Sequence, residues 1–385
     1  MTGMQAAGVA QAAAIRVPRD TTERLIGLEL LRFGAALGVL VWHYEYFLFA
    51  GQVQTPLDWN QLPFRWLFAP FYVYGNQGVE LFWCISGFIF TWKYGAAIGR
   101  RAVSFRRFVM LRFSRLYPLH FAALLLVSLL QWIYYERYGS AFVYPFNDAR
   151  HFVLNLFFAN WWGFESGNSF NGPSWSVSAE VLIYIVFFWL TRWAGAGWRI
   201  DLAAVAVFPA AAAAAKALFH LKLAFTGAGM FFYVGALTFH VYIWIDTQEP
   251  RARARLLWAL TALVVGSIAA VALHVLKIAA ASVTIFPGTL ILVQCVLRPE
   301  NRRARNWLTN LGNLTYASYM VHFPMQLIAM LILGALAIPI ESLIYSDWFM
   351  LVYLGSVMTA AFFVFHWVER PAQAFLRRRY AGPAR

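Results

Sequence analysis

Leu28-Glu29-Leu30-Leu31-Arg32-Phe33-Gly34-Ala35-Ala36-Leu37-Gly38-Val39-Leu40-Val41-Trp42-His43 is an apolar run that carries an arginine and a histidine eleven residues apart. Placing an arginine at mid-bilayer costs about 2.5–3.5 kcal/mol on insertion scales, so an ionisable group inside a span marks a functional site by default. A helical rise of about 1.5 Å per residue separates the two groups by about 16 Å. One then lies near a membrane face and the other deep within the span. That arrangement suits a site that holds a charged ligand at one end and does chemistry at the other.

The whole chain repeats the signal. Of 385 residues, 61% are hydrophobic, 18% aromatic and 12% charged, against about 25% charged in soluble domains. The net charge of +14 does not point to nucleic acid, because the cations fall in clusters between apolar runs, where they act as topology signals. The two cysteines, Cys84 and Cys295, support neither a disulfide framework nor a thiolate metal cage. Residues 1–24 lack the charged start, apolar segment and cleavage site of a signal peptide and read as a mobile cytoplasmic tail.

Runs long enough to cross about 30 Å of hydrocarbon fall at 26–49, 78–98, 111–134, 175–194, 200–219, 223–244, 256–276, 279–297, 307–333 and 348–368. Arg100/Arg101/Arg106/Arg107, Arg251/Arg253/Arg255, Arg298/Arg302/Arg303/Arg305 and Arg377/Arg378/Arg379 belong on the cytoplasmic side. Segments 50–75, 136–150 and 334–347 are short of cations and belong outside. The assignments agree if the short run 151–162 does not cross. The reading is an all-α membrane protein, a single polytopic bundle of about ten helices with both termini cytoplasmic. It has an integral domain at 25–370 and a basic tail at 371–385. The weakest span is 200–219, interrupted by Pro209 and Lys216.

This topology sorts the polar residues by height. Arg32 lies near the cytoplasmic face and His43 in the outer half. Glu180, in Asn171-Gly172-Pro173-Ser174-Trp175-Ser176-Val177-Ser178-Ala179-Glu180, lies one and a half turns below the outer face. His322, at the end of Gly312-Asn313-Leu314-Thr315-Tyr316-Ala317-Ser318-Tyr319-Met320-Val321-His322, reaches a similar level, so His43, Glu180 and His322 are placed to converge if they share a face. A neutral imidazole near a carboxylate is a general-base candidate. In Arg112-Phe113-Ser114-Arg115-Leu116-Tyr117-Pro118, two arginines at i and i+3 share a helix face. Guanidinium forks suit phosphates, so Arg32, Arg112 and Arg115 are candidates for the phosphates of a soluble cofactor whose arm extends towards His43. Other features read as structural. Arg106 and Arg107 set topology; His220, His240 and His274 lie near span ends. Ser86-Gly87 allows close helix packing, and Glu369-Arg370-Pro371 is a helix end with an interfacial ion pair.

Taken in order, the stretches Leu28 to His43, Gly78 to Phe88, Arg112 to Pro118, Trp175 to Tyr184, Gly312 to Pro324 and Glu369 to Pro371 resemble the acyltransferase-3 family of integral membrane O-acyltransferases over nearly the whole chain. The resemblance implies about ten helices and transfer of an acyl group, usually acetyl from acetyl-CoA or another short acyl-CoA, to a hydroxyl of a carbohydrate or glycolipid. It implies the Arg32/His43 and Arg112/Arg115 pairs as functional motifs, matching the reading of the residues, in which His43 and Glu180 are the catalytic candidates and Glu29, Trp175, Tyr319 and His322 are supporting or substrate-binding ones. Glu29 stands where the family commonly has Asp, and Thr315 where Ser is usual; both keep the polar chemistry. No metal and no nucleic acid are expected. The expected partners are the lipid bilayer, the acceptor and a polysaccharide synthesis or export component, in a bacterial inner (cytoplasmic) membrane. The competing reading is a transporter or flippase for a glycolipid or anionic solute, since Arg, Glu and His also mark transport pathways.

Overall fold

Among the described residues, ten helical segments are long and apolar enough to cross a membrane, and each overlaps one of the ten runs read from the sequence. They are seen in a computed structural model that describes residues 26–221, 223–297 and 301–381. The tail expected at 1–24, Arg298 and the last residues, 382–385, lie outside the described residues.

In chain order, α1 (Ile26–Trp42) tightens into a 3-10 turn from His43 to Leu48, and β1 (Phe49–Ala50) and β2 (Val53–Gln54) form a small antiparallel hairpin, Phe49 opposite Gln54. α2 (Arg65–Tyr74) precedes α3 (Gly78–Phe90), which passes through a π-type turn at Thr91–Gly95 into α4 (Ala96–Gly99). Then come α5 (Phe105–Tyr138), α6 (Ala149–Leu156), α7 (Trp175–Ala194), α8 (Trp198–Phe219), α9 (Thr226–Asp246), α10 (Pro250–Ala272), α11 (Ile278–Val296) and α12 (Arg302–Ala335). α13 (Asp347–Val364) passes through a second π-type turn, Phe365–Glu369, into α14 (Arg370–Leu376). At eight residues, α6 is far shorter than the roughly 20 needed to span, which leaves run 151–162 uncrossed. Pro209 sits inside an unbroken α8.

Small residues set the crossings. Gly87 of α3 faces the Phe232 carbonyl of α9, and Gly235 of α9 faces the Cys84 carbonyl of α3; a Cβ at either would overlap the opposite backbone. Two glycines in reciprocal register let these backbones touch, as small residues do where lipid offers no hydrophobic drive. α1 packs against α3, α11 and α12 and holds the centre of the bundle. α8 and α10 form the rim, with spans only 11% and 17% buried.

Segment 139–174 folds over the end of the bundle where α5 finishes and α7 begins. Asp148 caps α6 through the His151 N–H at 2.9 Å and also binds the His151 ring. His151 Nε2 accepts the Ser166 N–H, so both ring nitrogens are committed to structure. The hydrogen bonds from His151, the backbone N–H first, hold the Asp148 carboxyl below its usual range. Pro324 in α12 has no N–H and leaves the Met320 carbonyl without its helical donor. Asn171 Nδ2 donates to that carbonyl at 3.0 Å and so ties the segment to α12.

The segment read as a basic tail from 371 is described as far as residue 381. Residues 370–381 stay helical, continuing α13 through the π-type turn, and pack on α5.

Candidate active site

Two adjoining cavities with shared wall residues lie towards the end of the bundle where α1, α5 and α12 begin. The outer one, a vestibule of about 940 Å³, is lined by six cations, Arg32, Lys93, Arg112, Arg115, Arg370 and Arg377, against two carboxylates, Glu29 and Glu369. The inner one is a chamber of about 100 Å³ bounded by Ser86, Ser176, Glu180, Tyr184, Thr315 and Tyr319 with apolar neighbours from α3. Arg32, Arg112 and Arg115 line both. The three arginines therefore stand at the neck, a surplus of positive charge at the mouth of a narrow chamber with mixed polar and apolar walls.

Each arginine has its own support. Arg32 pairs with Glu29 one turn below it, Nη1 to Oε2 at 3.0 Å. Gly312 of α12 makes room for that carboxylate, since a Cβ there would collide with it. Arg112 donates to the Tyr94 hydroxyl at 2.8 Å and lies 5.0 Å from the centre of the Phe90 ring, a cation–π contact that fixes the guanidinium plane. Its Nε is buried without a partner. The two π-type turns serve this cavity: one presents Lys93 and Tyr94, the other His366 and Glu369. Such turns recur at functional sites because the extra residue re-aims the side chains around it.

Glu180 stands beside Ser86 and Tyr184 and within electrostatic reach of Arg115 and Arg32; its Oε1 has no hydrogen-bond partner. Matched depth does not place it beside the histidines: it belongs to the wall of the arginine chamber. His43 and His322 do meet, with ring centres 4.8 Å apart. Tyr319 connects the two groups. It lines the chamber, its ring centre is 5.6 Å from that of His322, and its hydroxyl donates to the Pro173 carbonyl at 2.9 Å while meeting Ser176 Oγ at 2.7 Å. Trp175 packs against Trp83 and Trp161 at the outer flank.

The histidine tautomers follow from their neighbours. His43 Nδ1 lies 2.9 Å from the Val39 carbonyl and His322 Nδ1 2.6 Å from the Tyr319 carbonyl. A carbonyl only accepts, so each Nδ1 carries the proton and each Nε2 presents a lone pair. His322 Nε2 has no partner. His43 begins the 3-10 turn, and Gln326 Nε2 holds its backbone carbonyl at 2.8 Å. Both rings are buried, His43 to 5% exposure and His322 to 0%.

Several residues of the site were not singled out from sequence. Lys93, Arg377 and the polar stripe Asn306, Asn310 and Asn313 all line the vestibule. Glu369 turns into the vestibule, near Arg115 and Arg32, instead of pairing with Arg370 at a helix end. Among the described residues no group of three or more His, Cys, Asp or Glu is placed to hold a metal ion.

Comparison with curated proteins and with solved structures found no match. The family model described as an acyltransferase domain matches residues 25–368. That stretch contains the cationic neck, Glu180, Tyr319 and the histidine pair, and on it this ten-span membrane protein belongs to the acyltransferase-3 family.

Proposed function

We propose that this chain is a membrane O-acyltransferase that moves a short acyl group, acetyl first among the candidates, from cytoplasmic acyl-CoA to a hydroxyl of a cell-surface or exported carbohydrate, in the inner membrane of a bacterium. The observation that supports this most is the two-part cavity, whose neck of three arginines leads inward to a chamber closed by Tyr319, with the histidine pair beyond. Arg32, Arg112 and Arg115 hold the phosphates of the donor, and the narrow chamber takes the slender thioester end of its arm. A polysaccharide synthesis or export component presents the acceptor from the opposite side.

His43, with Nδ1 anchored on Val39 and Nε2 free, takes the proton of the acceptor hydroxyl. The acceptor oxygen bonds to the acyl carbon as the carbon–sulfur bond breaks, and His43 returns its proton to the leaving thiolate. His322 packs beside the ring that becomes charged. The alternative within this chemistry is attack by His43 Nε2 itself, giving a transient acyl-imidazole. In either route Glu180 acts from the chamber wall, balancing the neck arginines. Because His43 is nearly fully buried, the reactants reach it after Tyr319 or segment 139–174 shifts.

The test is transfer of label from acetyl-CoA to host polysaccharide by membranes that contain the chain or its His43→Ala variant. Label in carbohydrate with the intact chain, lost in the variant while CoA still binds, is the expected result. Equal transfer by the variant rules out both roles of His43. No transfer, with acceptor and other acyl donors present, turns the reading to a transporter, to be checked by flux.

A further inference from the structure

The vestibule has two unlike walls. One is cationic, built from α5 and its neighbours. The other is α12, which turns Asn306, Asn310 and Asn313 into the cavity. Their i, i+4, i+7 spacing stacks three carboxamides on one stripe. No hydrogen bond joins any of the three side chains to another described residue. Asparagine is among the poorer helix formers, and a polar helix surface alone would be met as well by Glu, Lys or Gln. Three asparagines in register thus keep free donors and acceptors along one side of a cavity and add no charge to it.

A carboxamide sets an N–H donor beside a C=O acceptor, the pair that matches the N6/N7 edge of adenine. Aromatic rings for stacking a base lie in the same cavity, Trp92 and His366 among them, and base–ring stacking stabilises by about 1–3 kcal/mol per base. The volumes divide the ligand. About 940 Å³ falls in the range of roughly 300–1,000 Å³ usual for small-molecule sites and takes a nucleotide. The chamber of about 100 Å³ takes only an arm. A lipid headgroup or a phosphorylated arm on a carrier protein would use the arginines and leave the amides idle.

We propose that Asn306, Asn310 and Asn313 form a nucleobase subsite that reads the adenine of a nucleotide-linked acyl donor while the neck arginines hold its phosphates. The proposal rests on the acyl-CoA reading for its donor and adds that the base itself is recognised.

The test uses the full chain in detergent or nanodiscs. CoA, a CoA analogue carrying hypoxanthine in place of adenine, and adenosine 3′,5′-bisphosphate are titrated into wild type and the Asn310→Ala/Asn313→Ala double variant. Wild type is expected to prefer CoA over the hypoxanthine analogue by about tenfold, which corresponds to about 1.4 kcal/mol, and the double variant to lose that preference while still binding both. Loss of the preference with retained binding separates base reading from misfolding. Equal binding of the two by wild type, or an unchanged preference in the variant, overturns the subsite and leaves the acyl-CoA reading intact if transfer from acetyl-CoA is present. Amide-dependent binding of the bisphosphate without any acyl transfer keeps the subsite and overturns that reading. Binding of none of the three by wild type overturns both.

Discussion

Single residues decide how this site is held together, and Gly312 is the clearest example. Its missing side chain is the space in which the Glu29 carboxylate meets Arg32. Gly312→Ala should push Glu29 aside and free Arg32 to move, raising the KM for the acyl donor several-fold with a smaller change in kcat; steady-state kinetics on the purified variant would read this, and an unchanged KM would remove Gly312 from the site. A second residue-scale outcome concerns Asp148. Its carboxyl is held below its usual range by hydrogen bonds from His151, so its contribution to folding is complete above the unfolded carboxyl value, about 3.9, and is lost as pH falls through the folded one. Thermal melting of wild type should therefore drop more between pH 5 and pH 3 than that of Asp148→Asn, and parallel curves would show that Asp148 is not responsible. At this scale the sequence was informative where chemistry is local. Arg112 and Arg115 share a face because three residues separate them on a helix. Matched depth suggested that His43 and His322 converge, but that Glu180 belongs with the arginines was not legible, because depth along a helix says nothing of azimuth, and azimuth is set by contacts between distant spans.

Elements are positioned by what they omit. The α3–α9 crossing depends on Gly87 and Gly235 standing opposite backbone carbonyls. Gly87→Val should force these helices apart and cost at least the 1–3 kcal/mol typical of overpacking, seen as a lower melting temperature in detergent, whereas Gly266→Ala in α10, with open space around it, should change little. Similar melting of the two variants would deny the crossing its importance. Element existence was legible because the bilayer demands long apolar runs, and the ambiguous run 151–162 was settled by the alternation of cationic clusters, which agrees only if it does not cross. The starts of helices were less so. α12 begins at Arg302, before the apolar run that identified it, and Asn306 lies in that polar prelude. The π-type turns left no mark in hydropathy at all, though they aim Lys93 and Glu369 into the vestibule. The helical course of residues 370–381 was hidden by their charge, which reads as solvent-exposed until α5 is seen beside them.

At the scale of the molecule, charge and wall thickness matter most. Six cations against two carboxylates in the vestibule make an anion trap whose pull on a donor with several phosphates should weaken with salt, since the screening length falls from about 10 Å at 0.1 M to about 3 Å at 1 M ionic strength. Donor affinity is expected to fall at least tenfold across that range, and a flat titration would show that the cations do not attract the ligand. The positive-inside pattern further predicts that a reporter fused to the C-terminus is active only in the cytoplasm; activity outside would invert the bundle. Between the chamber and the histidines stands little more than the ring of Tyr319. An ion drawn inward past the arginines therefore meets an aromatic ring before it meets an imidazole.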